Sequence, residues 1–279
     1  MANILITGAN GQLGSELRKI GFSPLDEVFF TDVAELDITD YTAIEKFIQV
    51  HEVDTIINCA AYTAVDRAED EPGPAAEINT QAVANLAKAA QKEDCLLIHI
   101  STDYVFPGRG DRFYEPTDPV RPENVYGRSK LAGELAVQSM LKNYFIVRIS
   151  WVFGKNGNNF VKTMLRLAET RSELNVVCDQ IGSPTYTADL APLLCDMVQT
   201  ERYGIYHATN EGSCSWAEFA QEIFRLSGRN ATVDPIPSSA YPAKAKRPLN
   251  SRLSKQCLQD SGFFRLPSWK NALKHYLES

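Results

Sequence analysis

With 279 residues, 44% of them hydrophobic and 23% charged, the chain has room for one domain or a large and a small one. A net charge of −7 without a Lys/Arg run excludes a nucleic-acid surface, so no nucleic acid is expected among its partners. Six scattered cysteines, with no Cys-x-x-Cys pair and no Cys/His cluster, argue against a disulfide framework and a metal site. The absence of any apolar run of membrane length points to a cytoplasmic protein with no membrane contact.

The chain opens with a short apolar run over 3–6, then Gly8-Ala9-Asn10-Gly11-Gln12-Leu13-Gly14, then a helical pattern through Leu13, Leu17 and Ile20. Strand, glycine turn and helix in that order predict a dinucleotide site. Glycines let the turn tighten and the backbone approach a pyrophosphate, and the helix start turns its N–H groups toward it. A second strand over 28–32 ends in Asp32, about 20 residues past the turn, where an acid accepts from an adenosine ribose and favours NADH. A plain turn aspartate competes with that reading. Residues 36–38 look like a short third strand, and Thr39-Asp40 caps a helix running to about Val50.

Residues 54–61 form an unbroken apolar run, as in a parallel strand covered on both faces, and Ala60-Ala61-Tyr62-Thr63 falls at its carboxyl edge. An alanine-rich helix follows over about 74–92, with Asn79 near its start either touching a cofactor or merely solvated. The strand at 95–100 ends in Ser101-Thr102-Asp103. Neighbours on a strand face opposite ways, so only one of the two hydroxyls can enter a site, and the residues alone do not say which. A proline-punctuated loop over 107–122 leads to a helix at 125–138 carrying Tyr126 and Lys130. Four residues apart on a helix, these two share a face. A fixed ammonium beside a phenol lowers its pKa and makes it a better proton donor or acceptor. Singly, such a pair is ordinary helix surface; it gains meaning from the glycine turn and the hydroxyl at the strand end.

Taken in order, Gly8-x-x-Gly11-x-x-Gly14, Ala60-Ala61-Tyr62-Thr63-Ala64-Val65-Asp66, Ser101-Thr102-Asp103-Tyr104-Val105-Phe106, Tyr126-Gly127-x-x-Lys130 and Arg148-x-Ser150-Trp151-Val152-Phe153 resemble the dTDP-4-dehydrorhamnose reductase family. That family lies within the extended short-chain dehydrogenase/reductases. Gly157-Asn158-Asn159-Phe160, Asp179-Gln180-x-Gly182-x-Pro184-Thr185 and Arg247-Pro248-x-Asn250-Ser251-x-Leu253 continue the likeness over nearly the whole chain. The resemblance implies reduction of the C4 ketone of a dTDP-4-keto-6-deoxysugar with NADPH or NADH. It implies Tyr126 as proton donor, Lys130 as its partner and nicotinamide-ribose ligand, and Thr102 as the hydroxyl holding the substrate oxygen. It places Gly8, Gly11, Gln12, Leu13, Gly14, Asp32, Asp37, Ile38, Ala61, Tyr62 and Thr63 with Tyr126 and Lys130 around the cofactor. Thr102, Asp103, Trp151, Asn159 and Arg247 fall to the substrate, no residue falls to a metal, and a homodimer is left open. An epimerase or dehydratase of the same superfamily is one alternative; a regulatory subunit resembling the β subunit of methionine adenosyltransferase is another.

A strand at 144–149 continues the alternation and predicts an α/β fold, a Rossmann-type doubly wound parallel sheet with a smaller C-terminal α/β substrate domain. Residues 1–150 with about 174–200 are assigned to the Rossmann domain, and 151–173 with 201–279 to the substrate domain. Within these, 159–170 predicts a helix, 174–177 an edge strand, 187–199 a helix returning to the sheet, and 203–208 a strand. Ser215-Trp216-Ala217-Glu218 is a capping-box start, and a last helix covers about 268–277. Lys244, Lys246, Arg247 and Arg252 give the local charge a diphosphate needs, with a solvated loop the competing reading for the lysines.

Overall fold

A computed structural model describes residues 2–279. Its large unit is a six-stranded sheet in the order β2-β1-β3-β4-β5-β10, every neighbouring pair parallel. Here β1 is Asn3–Thr7, β2 Glu27–Thr31, β3 Thr55–Asn58, β4 Leu96–Thr102, β5 Tyr144–Ile149 and β10 Gly204–His207. Ile4, Leu5 and Ile6, like Ile56 and Ile57, are wholly buried, because helices cover both faces of a parallel sheet. One face carries α1 (Gln12–Leu17) and α8 (Thr187–Val198), whose Leu13, Leu17, Leu190 and Leu194 meet Ile4 and Ile6. The other carries α2 (Tyr41–Val50), α5 (Ala82–Lys92) and α6 (Val125–Met140). The strand order reverses between β1 and β3, and at such a switch point a crevice opens beyond the carboxyl ends of the strands.

The expected third strand at 36–38 does not form. Asp37 accepts from the Thr39 N–H and hydroxyl, the Leu36 N–H bonds back to Asp32, and Leu36 and Ile38 bury in the core from a turn. Their apolar-polar-apolar spacing reflects packing and not a ladder. Asp40 does cap α2, accepting from the N–H groups of Thr42 and Ala43. The helix expected from 74 begins earlier, as α4 (Pro72–Ala76) after a short α3 (Val65–Ala68). It passes through a π turn at Glu77–Gln81 before α5. Pro72 suits the first helical turn, where its missing N–H has no partner to lose.

The small unit gathers α7 (Phe160–Leu167), α9 (Trp216–Ser227) and α11 (Trp269–Glu278) around Phe153, Phe219, Ile223 and Tyr276. Ser215 and Glu218 make the reciprocal capping box, and Ser268 caps α11. Strand β7 (Glu173–Val177) pairs with β12 (Thr232–Ile236), away from the large sheet, whereas β10 joins the large sheet beside β5. The division expected from sequence therefore shifts at both places: 173–177 goes with the small unit and 204–207 with the large one. Short pairings of β6 (Val152–Phe153) with β9 (Thr185–Tyr186), and of β8 (Ile181–Gly182) with both β11 (Cys214–Ser215) and β13 (Asn250–Ser251), stitch the two units together. A final short helix, α10, is Gln256–Asp260. Among the described residues no helix is long and apolar enough to cross a membrane.

Candidate active site

A cavity of about 520 Å³ lies beyond the carboxyl ends of β1, β3, β4 and β5. Thr102, Asp103, Tyr126, Lys130 and Trp151 line it, together with Gln12, Leu13, Ala61 and Thr63. A second cavity of about 340 Å³ is lined by Gly8, Asp32, Asp37, Ile38 and Tyr62, and shares Gly11, Cys59 and Ala61 with the first. Gly8 adopts φ +65, and a Cβ there would stand 2.6 Å from the Ala60 nitrogen; one at Gly14 would meet the Gly8 carbonyl at 2.4 Å. The glycine turn is thus pressed against the end of β3 and onto its own helix, as a backbone cradle for a pyrophosphate requires. Asp32 is held by the N–H groups of Asn10 and Val33. Among the described residues no lysine or arginine lines the cavity it faces.

Thr102 enters the site and Ser101 does not face it in the same way. The Ser101 hydroxyl donates to Glu134 at 2.5 Å, and Glu134 is bonded twice to Arg148, all three buried. The Thr102 hydroxyl donates to Asp103 Oδ1 at 3.1 Å, and Ser251 donates to the other carboxylate oxygen. Burial outweighs those bonds and pushes the Asp103 carboxyl up to about 6.

Helix α6 is set by Asn124, whose side chain accepts from Gly127 N at 2.7 Å, and by Asn79. Asn79 is no solvated helix residue. Fully buried in the π turn, it accepts from Tyr62 N at 2.9 Å, donates to Tyr62 O at 3.0 Å, and donates to Ser129 at 3.0 Å. It thereby fixes the cofactor-side loop to the helix that carries Tyr126. Tyr104 meets the Tyr126 ring edge-on at 5.4 Å. The lowered phenol pKa expected from Lys130 is not found. Desolvation raises the Tyr126 pKa, with only the Thr102 hydroxyl acting against it, while Lys130 turns its ammonium to the Ile100 carbonyl at 2.6 Å. Burial in turn pulls Lys130 down to about 8.

Two of the sequence-expected substrate residues, Asn159 and Arg247, do not line this cavity but bond to residues that do. Asn159 caps α7, accepting from Lys162 N, and donates to Gly154 O and Gln12 Oε1; Gly157 and Asn158 line the cavity instead. Arg247 pairs with Asp66 at 2.5 Å and reaches Tyr104 Oη at 3.4 Å, beside a separate hollow of about 240 Å³. Most of the expected basic patch is ion-paired, Lys244 with Asp70 and Lys246 with Glu123, whereas Arg252 donates to the uncharged Asn250. Another hollow, of about 710 Å³, lies beside α6 and is lined by neither Tyr126 nor Lys130. Sequence reasoning gave no role to Tyr104, although it stands in the Ser101–Phe106 motif, and none to Asn58 and His99, whose spacing carries no motif of its own.

The fold, its switch-point crevice and the Thr102–Tyr126–Lys130 set define an extended short-chain dehydrogenase/reductase. A family model described as the RmlD substrate binding domain matches residues 1–279. The chain belongs to that family. It is 42% identical to the dTDP-4-dehydrorhamnose reductase of Aggregatibacter actinomycetemcomitans, over 99% of this chain and 98% of that one. A solved Bacillus anthracis dTDP-4-dehydrorhamnose reductase in complex with NADP superposes with a TM-score of 0.97 at 43% identity, covering 100% of both chains. The Clostridium acetobutylicum enzyme of the same name gives 0.96 at 44%, over 99% of this chain and 98% of that one.

Proposed function

We propose that the chain reduces the C4 ketone of a dTDP-4-dehydro-6-deoxysugar to dTDP-L-rhamnose, as a dTDP-4-dehydrorhamnose reductase using NADPH or NADH. The observation that carries this is the convergence of Thr102, Tyr126 and Lys130 on a cavity continuous with the glycine-turn crevice. When bound there, the reduced nicotinamide supplies the hydride. Gly8, Gly11, Gly14 and the start of α1 would hold its pyrophosphate, and Asp32 would accept from its adenosine ribose. By charge the ribose cavity suits NADH, and the NADP complex of the Bacillus anthracis relative supports the phosphorylated form, so both belong to the proposal.

Tyr126 keeps its proton through the neutral range because burial disfavours the phenolate, and it enters the reaction as the acid. It gives that proton to the substrate oxygen as negative charge develops there. Thr102 redirects its hydrogen from Asp103 to the same oxygen, and Lys130 lends its charge to the phenolate left behind. Trp151 closes the far side against water; its backbone, at φ +50, holds a conformation a bulky residue seldom adopts, and its indole stacks on Trp216 at 3.6 Å. Incubating purified protein with the 4-keto nucleotide sugar tests the proposal. One NAD(P)H consumed per dTDP-rhamnose formed supports it. Conversion without net consumption points to an epimerase, and no conversion of any keto sugar points to a regulatory subunit.

A further inference from the structure

Beneath Lys130 runs a buried polar chain that the chemistry above leaves unused. Asn58 and His99 are both 0% exposed. The Asn58 Oδ1 accepts from Ala60 N at 3.1 Å and from the Thr7 hydroxyl at 2.7 Å. A backbone N–H can only donate, so this contact fixes which end of the amide is oxygen. The Asn58 Nδ2 therefore donates to His99 Nδ1 at 3.1 Å, which must present a lone pair. Burial and the nearby lysine keep His99 neutral, so its one proton sits on Nε2, 3.4 Å from Lys130 Nζ. An N–H aimed at an ammonium sets donor against donor; aimed at an amine, it meets a lone pair.

We propose that His99, with its tautomer set by Asn58, is a positioning residue that acts through Lys130, making the ammonium form less favourable and the amine form more so. Three titratable groups face Lys130, His99 from β4, Cys59 just past β3 and Glu134 from α6, and Tyr126 lines the same cavity. Glu134 is ion-paired with Arg148, and the Cys59 thiol is pushed up to about 12 by burial and stays neutral. The imidazole is thus the group whose proton placement bears on the lysine. The use of such a balance rests on the reductase reading, in which the charge on Lys130 must answer the phenolate of Tyr126.

Histidine nitrogen NMR on the intact protein tests this, with the His99 signals identified by their loss in His99→Gln. The wild type should show the Nε2–H tautomer; an Nδ1–H tautomer overturns the proposal without any further variant. In Asn58→Asp the carboxylate accepts from Ala60, Thr7 and an Nδ1–H, so the tautomer reverses and a bare Nε2 accepts from the ammonium. The Lys130 titration, followed by lysine carbon NMR, should then rise by about 1 to 2 pH units, the size of one charge-assisted hydrogen bond. The alkaline limb of kcat/KM should move with it. The added charge acts by itself in Asn58→Asp/His99→Phe. A rise in that double variant equal to the rise in the single one overturns the proposal, and a clearly smaller rise supports it. Both NMR readouts are independent of turnover, so an inert protein with the Nε2–H tautomer would sink the reductase reading alone.

Discussion

At Asp103 two opposing effects can be separated by pH. Its carboxyl is raised to about 6 by burial although Ser251 and Thr102 both donate to it, so the folded state holds a proton there more tightly than the unfolded chain, where an aspartate titrates near 3.9. A raised acid contributes stability below the unfolded value and loses it as pH climbs through the folded one. Relative to Asp103→Asn, the wild type should therefore lose on the order of 3 kcal/mol between about pH 4 and pH 6, read from urea midpoints at each pH. A flat difference would mean that the group is better solvated than its burial suggests. At Tyr126 the expectation is kinetic. Tyr126→Phe should lower kcat by roughly 10²–10⁴ in keto-sugar reduction while the fold is kept, since general acid catalysis has that size and the lost hydroxyl is not a core bond. Near-wild-type turnover would remove Tyr126 from the mechanism.

Helix α6 shows how an element delivers a residue. Its outer anchor is Glu134, which takes the Ser101 hydroxyl from β4 and both forks of Arg148 from β5, with the guanidinium 5.0 Å over the Phe106 ring. Arg148→Met would strand a buried carboxylate, which costs about 3–5 kcal/mol of unfolding free energy. Replacing Glu134 and Arg148 together should recover much of that loss, and thermal or urea unfolding of the single and double variants checks both expectations. Much of this element was legible beforehand. Val125, Tyr126 and Lys130 fall in a helical pattern after a proline-rich loop, and continuous apolar runs marked β1, β3, β4 and β5. Residues 36–38 misled because Leu36 and Ile38 bury from a turn, and burial alone does not reveal a missing ladder partner. Residues 174–177 read as an edge strand and group by sequence with the Rossmann unit, because nothing local reveals that the partner is β12, a segment far away in the chain. Asn159 shows how a site neighbourhood in sequence can also serve the fold. Its sequence neighbourhood points to the site, yet its amide is satisfied as a helix cap and by Gln12.

Across the whole molecule, the net charge of −7 is not offset by a free basic patch at Lys244, Lys246 and Arg247, which are paired with Asp70, Glu123 and Asp66. Recognition of an anionic substrate then depends on short contacts and not on long-range steering. Raising salt from about 0.05 to 0.5 M should change kcat/KM by less than the 10–10³ that electrostatic steering supplies. A steep salt dependence would show that these cations are available to the substrate after all. The two units meet where Gln12 touches Asn159 and where β8, β11 and β13 cross between them, so the cleft is walled by both. On the wall from the small unit, two of the three tryptophans lie face to face, Trp151 over Trp216 with 11° between their planes. Indoles so close share their excited state, and one of them borders the cavity. The protein thereby carries its own optical gauge: titration with a nicotinamide dinucleotide should alter tryptophan emission and the near-ultraviolet circular dichroism.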